Sequence, residues 1–102
     1  DGLDVALCRI QGHGAQTEVT LSHFDTVSYA DDFKAEIRKV FAKKEIDFQH
    51  LCLLNPWIGQ THGRMILDCL KQWNIRPDEV DLIASHGQTV FHAPTILHRL
   101  DK

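Results

Sequence analysis

The chain has 102 residues, of which 43% are hydrophobic and 25% charged, as is ordinary for one modest domain or a piece of a larger protein. Its formal net charge of -3 argues against a nucleic-acid partner, because phosphate binding favours a clustered basic face. No apolar run approaches the roughly 20 residues that cross a bilayer and no signal peptide is visible, so we expect no membrane partner.

The three cysteines, Cys8, Cys52 and Cys69, are an odd number with wide spacing. A secreted disulfide scaffold has a different pattern, with more cysteines in an even number. Each cysteine has apolar neighbours in the sequence, so we expect buried free thiols in a reducing, cytoplasmic environment.

The first elements are two strands. "DVALCRI", residues 4–10, is rich in β-forming residues and predicts a strand. "QGHGAQ" supplies two glycines for a turn, and the following stretch has apolar positions at Val19, Leu21, Phe24 and Val27. Together these segments predict a β-hairpin.

Two helical segments follow. Asp31 and Asp32 favour the start of the first, in which apolar residues recur at helical spacing: Phe33, Ile37, Val40 and Phe41. Asp47 can cap the second, and Pro56 predicts either one kinked helix or two short ones, ending near Asn74. The second segment carries one apolar stripe, made of Ile58, His62, Met65, Ile66, Cys69, Leu70 and Trp73.

The last elements complete an α/β pattern. Pro77 with two following acidic residues predicts a single helical turn. "VDLIAS", residues 80–85, predicts a short strand buried in a sheet that is covered on both faces. The order strand, strand, helix, helix, strand predicts a mixed sheet with helices. Because ligands collect at the carboxyl ends of strands in such sheets, we expect "SHGQTVFH", residues 85–92, to be a binding loop.

The opening "DGLD" admits two interpretations. Asp1 and Asp4 flank a glycine, and the backbone N–H groups of a tight turn there could face an anion. Carboxylates beside a phosphate need a cation between them, usually Mg²⁺ held partly through water. An ordinary turn explains the same residues.

The histidines suggest a metal site only weakly. His86, His92 and His98 recur at six-residue intervals, whereas helical zinc sites use closer spacing. We expect no role for the other histidines, predicted to be surface or helix-flank residues: His13, His23, His50 and His62.

Nucleophilic catalysis has no convincing candidate. Ser85 and His86 are adjacent, so on a strand their side chains point to opposite faces, and Cys8 has no obvious activating base. Gln88 and Thr89 instead add neutral donors and acceptors of the kind that sugar recognition needs. A polar loop that merely caps a sheet remains the alternative.

Two stretches together resemble one family. "DGLDVALCRI" is similar to the end of the signature G-x-M-S-G-T-S-x-D-G-x-D of the anhydro-N-acetylmuramic acid kinases. "DLIASHGQTVFHAP" resembles that family's I-x-S-H-G-Q-T-V-x-H-x-P segment, and "LLNPWIGQTHGRMILDCL" resembles its helix with an L-N-x-x-L-G core. The resemblance covers essentially all 102 residues.

The resemblance implies two ribonuclease-H-like lobes of the actin, sugar-kinase and Hsp70 type, with ATP in the cleft. Residues 1–102 would be a fragment of the N-terminal lobe, truncated at both ends. The enzyme would use ATP and Mg²⁺ to open the 1,6-anhydro ring hydrolytically and phosphorylate O6, giving N-acetylmuramic acid 6-phosphate in peptidoglycan recycling. The parent protein is a candidate homodimer. Its general-base aspartate would lie outside this chain, which alone would be inactive.

The family's site residues carry over by motif. Asp1, Gly2, Leu3 and Asp4 match the last four positions of the phosphate loop, with Asp1 as the candidate for the Mg²⁺ shell through water. The sugar pocket would use residues of the second motif: His86, Gly87, Gln88, Thr89 and His92. The missing S-G-T-S half and Pro56 depart from the family pattern. The alternatives are a non-catalytic binding module of the same lobe and a metal hydrolase using His86, His92 and His98.

Overall fold

The computed structural model describes residues 2–98, which form a mixed α/β structure as predicted. In chain order the elements are strand β1 (Gly2–Gln11), a 3₁₀ turn (Gly14–Gln16), strand β2 (Glu18–Ser28), helix α1 (Asp31–Arg38), helix α2 (Phe48–Gln72) and two further 3₁₀ turns (Pro77–Glu79 and Thr95–Leu97). No helix in residues 2–98 is both long and apolar enough to cross a membrane.

The predicted hairpin is confirmed, and it contains a bulge. β1 and β2 pair antiparallel from Gly2 opposite Ser28 to the turn. The register shifts where Leu7 pairs with His23 but Cys8 pairs with Leu21, so one extra residue stands on β2. A bulge of this kind reverses which side chains face the core beyond it. This reversal explains why the apolar positions of β2 do not alternate cleanly in the sequence.

The hairpin has one covered and one open face. Half-buried side chains on the covered face include the cross-strand pairs Leu3–Val27 and Leu7–His23, and the His23 ring stacks on Trp73 of the α2 C-cap with centroids 5.1 Å apart. The open face carries apolar side chains that are more than half exposed: Ile10, Val19, Leu21 and Phe24. The hairpin therefore packs on α2 through one face.

Both predicted helices form, although α1 ends at Arg38, before Val40 and Phe41. Asp31 and Asp32 lie in the first turn of α1, where carboxylates favour the positive end of the helix dipole. The Asp47 side chain caps α2 by accepting a hydrogen bond from the backbone N–H of His50 at 3.2 Å. α2 runs as one helix through Pro56, although proline removes a backbone hydrogen bond. Its buried residues lie on both sides of the proline, so tertiary packing keeps the helix continuous.

The prediction of a third strand at residues 80–85 is wrong for the described structure. The segment has no regular structure, and the Leu82 and Ile83 side chains are 83% and 62% exposed. A strand exists only through hydrogen bonds to a neighbouring strand, and within residues 2–98 β1 and β2 pair only with each other. The sheet is accordingly two-stranded and antiparallel, not mixed.

The expectation of three buried thiols is wrong in part. All three cysteines are free, but only Cys69 is buried, whereas Cys8 and Cys52 are exposed. Cys8 lies on the open face of the hairpin, opposite Leu21. Apolar neighbours in a sequence do not determine which face of an element a side chain occupies.

Candidate functional site

The first motif lies at the start of β1, and Asp1 lies outside the described residues. Gly2 packs so closely on β2 that a Cβ there would stand 2.6 Å from the Val27 carbonyl oxygen. Because that atom belongs to the backbone, no other residue fits without moving a strand. Asp4 is exposed, and its Oδ1 accepts a hydrogen bond from the Thr26 hydroxyl at 2.7 Å. An exposed, oriented carboxylate of this kind suits a cation held through water.

The second motif forms an irregular loop with a turn at Gly87. This glycine has φ of +72°, in the left-handed region that glycine adopts readily. Its N–H donates to the Ser85 hydroxyl at 3.0 Å, and the Gln88 side-chain amide donates to the Thr89 carbonyl at 2.9 Å. The loop therefore holds its own bend through local hydrogen bonds.

One backbone hydrogen bond attaches this loop to the rest of the structure. The Ala42 N–H donates to the Val90 carbonyl at 2.7 Å, linking the loop to the segment that follows α1. His86, Thr89 and His92 are exposed, and Gln88 is half-buried. Most side chains predicted to bind sugar are thus accessible to a ligand.

A partly buried pair that belongs to neither motif joins the end of the hairpin to α2. The Tyr29 hydroxyl and His62 Nε2 are 3.0 Å apart, and the two rings stack with centroids 5.9 Å apart and planes inclined by 9°. His62 is only 8% exposed. Phe33 packs on Tyr29 with a centroid distance of 4.4 Å, and Trp57 packs on Phe33 at 5.1 Å. The hydrogen bond satisfies both polar groups inside this aromatic cluster.

Electrostatics connect this pair to both motifs. Burial raises the pKa of Tyr29, and the nearby Asp4 carboxylate raises it further. Burial lowers the pKa of His62, and the positive charge that His86 can carry lowers it further. Both shifts favour the neutral form of the pair. Asp4 therefore influences Tyr29 electrostatically, and His86 influences His62.

The prediction that His62 is a surface or helix-flank residue is wrong. It lies in the apolar stripe of α2, four residues after Ile58, and that register carries it into the core. A histidine tolerates burial when a ring nitrogen is hydrogen-bonded, and Tyr29 supplies the partner. Its place in the stripe was the signal that could have revealed it.

A zinc site built from His86, His92 and His98 finds no support in the geometry. Within residues 2–98 no group of three or more histidine, cysteine, aspartate or glutamate side chains could hold a metal ion together. The His98 Nε2 instead lies 2.9 Å from the carbonyl oxygen of Ala93. The metal-hydrolase alternative is thereby contradicted for the described part of the chain.

An apolar groove reaches the start of the second motif. It runs between α2 and the segment after it, and side chains such as Leu67, Leu70, Pro77 and Leu82 line it. Its lining includes Asp81, Leu82 and Ile83, the first three residues of the second motif, so the groove places the start of that motif against α2. None of the residues predicted to bind the sugar lines it.

Comparison with known proteins confirms the resemblance. A family profile described as "Anhydro-N-acetylmuramic acid kinase" matches residues 1–101. Curated relatives of that name come from Pseudoalteromonas atlantica (54% identity, covering 96% of this chain and 24% of the relative), Pseudoalteromonas translucida (48%, covering 97% and 25%) and Bacillus cereus strain AH820 (39%, covering 92% and 25%). The chain thus spans about a quarter of the length of these relatives. No solved structure matches it.

Proposed function

The chain belongs to the anhydro-N-acetylmuramic acid kinase family, and from that membership we propose that it is part of an enzyme acting on 1,6-anhydro-N-acetylmuramic acid. Water adds to the anomeric carbon and opens the anhydro ring, and the freed O6 takes the γ-phosphoryl group of ATP. ADP and N-acetylmuramic acid 6-phosphate are the products. In peptidoglycan recycling this reaction returns a cell-wall sugar to metabolism.

The structural observation that carries this proposal is the Tyr29–His62 hydrogen bond, which links the end of the hairpin to α2. The residue that follows His62 lines a groove together with Ile83 of the second motif. A kinase must hold nucleotide and acceptor side by side, because phosphoryl transfer depends on positioning and charge stabilisation. Asp4 is coupled electrostatically to Tyr29, and His86 to His62, which is hydrogen-bonded to Tyr29. These contacts support a site in which one motif holds the nucleotide and the other holds the sugar.

We assign the first motif to the nucleotide. Asp4 offers an exposed carboxylate oriented by Thr26, a donor of the type that Mg²⁺ prefers. Gly2 and Leu3 place this carboxylate at the end of the hairpin, and Asp1 is the proposed second acidic residue for the Mg²⁺ shell. When bound, Mg²⁺ would supply positive charge against the phosphates of ATP.

We assign the second motif to the sugar. Gln88 and Thr89 provide neutral hydrogen-bonding groups beside a glycine that sets the turn, and His86 and His92 flank them. Hydroxyl and amide groups of an amino sugar are donors and acceptors without charge, so they match this set. Gln88 is half-buried, and its side-chain amide donates a hydrogen bond to the Thr89 carbonyl.

The remaining parts of the enzyme lie outside these residues. We propose that the chain forms part of the N-terminal, ribonuclease-H-like lobe and that the general base belongs to another part of the parent protein. A cytoplasmic location fits the use of ATP and the three free thiols.

The reaction is tested with the full-length protein, ATP, Mg²⁺ and the anhydrosugar in water enriched in heavy oxygen. The proposal predicts ADP and a product heavier than the substrate by one phosphoryl group and one water, with the label in the sugar. The isolated chain should show no turnover. Absence of phosphorylation by the full-length protein refutes the kinase proposal, and sugar binding without phosphorylation supports the non-catalytic module instead. A phosphorylated product that retains the anhydro ring refutes the hydrolytic step alone.

The sugar assignment is tested by Gln88→Ala in the full-length protein. Loss of one hydrogen-bonding side chain should weaken anhydrosugar binding by about 3- to 10-fold. Gln49→Ala is a matched control, because Gln49 is an exposed residue of α2 outside both motifs. If the calorimetric isotherms of Gln88→Ala and wild type coincide, the loop does not bind the sugar.

A further inference from the structure

The Tyr29 and His62 side chains contact each other in two ways, through a hydrogen bond and through stacked rings. His62 is the buried polar residue of the described core. Its Nε2 is hydrogen-bonded to the hydroxyl of Tyr29, a half-buried residue. The rings are also stacked nearly parallel, so both the distance and the orientation of the pair are fixed. Two short-range interactions between the same two side chains leave little freedom for either element.

The two residues belong to the elements that carry the site. Tyr29 directly follows Ser28, the last residue of β2, and Ser28 pairs with Gly2 of the first motif. His62 lies in the middle of α2, and the next residue, Gly63, lines a groove together with Ile83 of the second motif. A hydrogen bond between Tyr29 and His62 therefore ties the end of the hairpin to α2, beside the second loop.

The surrounding aromatic rings restrict the movement of the two hydrogen-bonded side chains. Phe33 contacts both members of the pair, with its ring centroid 4.4 Å from Tyr29 and 6.0 Å from His62. Trp57 also packs on Phe33, with ring centroids 5.1 Å apart. A hydrogen bond in such surroundings is stronger than one in water, and its loss leaves a polar group unpaired.

We propose that Tyr29 and His62 are a positioning pair for phosphoryl transfer, which holds the motif carrying Asp4 at a fixed separation from the loop carrying His86. Neither residue needs to touch the reacting atoms. The inference rests on the proposed function, because it assigns nucleotide and sugar to the two motifs. Its consequence is kinetic: an error of position between two bound substrates slows transfer without preventing either from binding.

Tyr29→Phe in the full-length protein is the most direct test. The substitution deletes one oxygen atom and keeps the ring that stacks on His62 and Phe33. We expect kcat to fall by at least about 10-fold, while KM for ATP and KM for the anhydrosugar change by less than about 3-fold. Circular dichroism and a thermal scan confirm that the variant is folded at the assay temperature.

Leu54→Ala is the control for a purely structural effect. Leu54 is 3% exposed and lies on the same helix, eight residues or about two turns before His62. It should lower thermal stability at least as much as Tyr29→Phe and leave kcat of the folded protein near wild type. His62→Gln, which keeps a neutral hydrogen-bonding group, should retain more kcat than His62→Phe.

The possible results distinguish failure of the positioning role from failure of the proposed kinase function. A wild-type protein that transfers phosphate, combined with a folded Tyr29→Phe variant of unchanged kcat, refutes the positioning role alone. Equal losses of kcat in Tyr29→Phe and Leu54→Ala also refute it, since the effect would then follow stability. If the wild-type protein transfers no phosphate, the proposed function fails and the inference fails with it.

Discussion

Replacing Phe33 with alanine tests the aromatic cluster on which the arrangement of the site depends. Phe33 is the third residue of α1 and is 3% exposed. Its ring packs against Tyr29, Trp57 and His62 with centroid distances of 4.4, 5.1 and 6.0 Å. Truncation at Cβ removes all three contacts at once and opens a cavity beside the Tyr29–His62 hydrogen bond.

The size of the effect follows from this burial. Moving a fully buried phenylalanine side chain from water contributes about 1.5 to 3 kcal/mol. The cavity left by truncation raises the cost of a Phe→Ala change to about 3 to 5 kcal/mol. A small domain is stable by only about 5 to 15 kcal/mol. The variant should therefore unfold at a much lower urea concentration than the wild type.

Phe48→Ala is the matched control, because Phe48 begins α2 and is 74% exposed. Both substitutions exchange phenylalanine for alanine in the first turn of a helix, so differences of intrinsic helix propensity largely cancel. Exposed substitutions change stability by about 0.5 kcal/mol or less. Urea titrations of the 102-residue chain, followed by tryptophan fluorescence, should separate the two variants by at least about 2 kcal/mol in unfolding free energy. Equal unfolding curves for the two variants would refute the packing described here.

Three further predictions concern the helix cap, pH and the thiols. Asp47→Ala removes the α2 cap and should cost about 1 kcal/mol of unfolding free energy, whereas Asp47→Ser should retain most of it; equal urea midpoints for the two would contradict the cap. Burial lowers the pKa of His62 in the folded chain below its ordinary 6.5, so the unfolded chain binds a proton there more readily. The free energy of unfolding should therefore decrease as pH falls below 6.5, until the pH is below the pKa of the folded state. Urea titrations across that range should show a shallower decline for His62→Gln, and an unchanged slope would exclude His62 as the cause. A thiol reagent should label Cys8 and Cys52 rapidly in the folded chain and Cys69 only on unfolding. Burial raises the pKa of the Cys69 thiol and excludes the reagent, so rapid reaction of all three cysteines would contradict this burial.

Local signals in the sequence were sufficient for most elements. The hairpin followed from β-forming runs around two glycines, and both helices followed from acidic starts and apolar periodicity. Asp47 was correctly identified as a cap because a capping interaction spans only three residues. These features depend on neighbours in the chain, which is why they could be read from one sequence.

Non-local features could not be predicted in the same way. Residues 80–85 have the composition of a buried strand. A strand also needs a partner strand, and the sequence of the segment does not show whether one is present. The pairing of Tyr29 with His62 joins residues 33 positions apart. The sequence placed His62 in an apolar stripe without indicating which hydroxyl would meet it. The bulge on β2 likewise depends on how two strands align.

Binding measurements on the full-length protein with paired substitutions test the central claim most directly, namely that one motif holds nucleotide and the other holds sugar. Asp4→Asn should weaken binding of Mg²⁺–ATP and leave anhydrosugar binding unchanged, and Gln88→Ala should do the reverse. Isothermal titration of both ligands into both variants gives the four affinities. If the two substitutions weaken the same ligand, or if neither weakens any, the assignment of the two motifs is wrong.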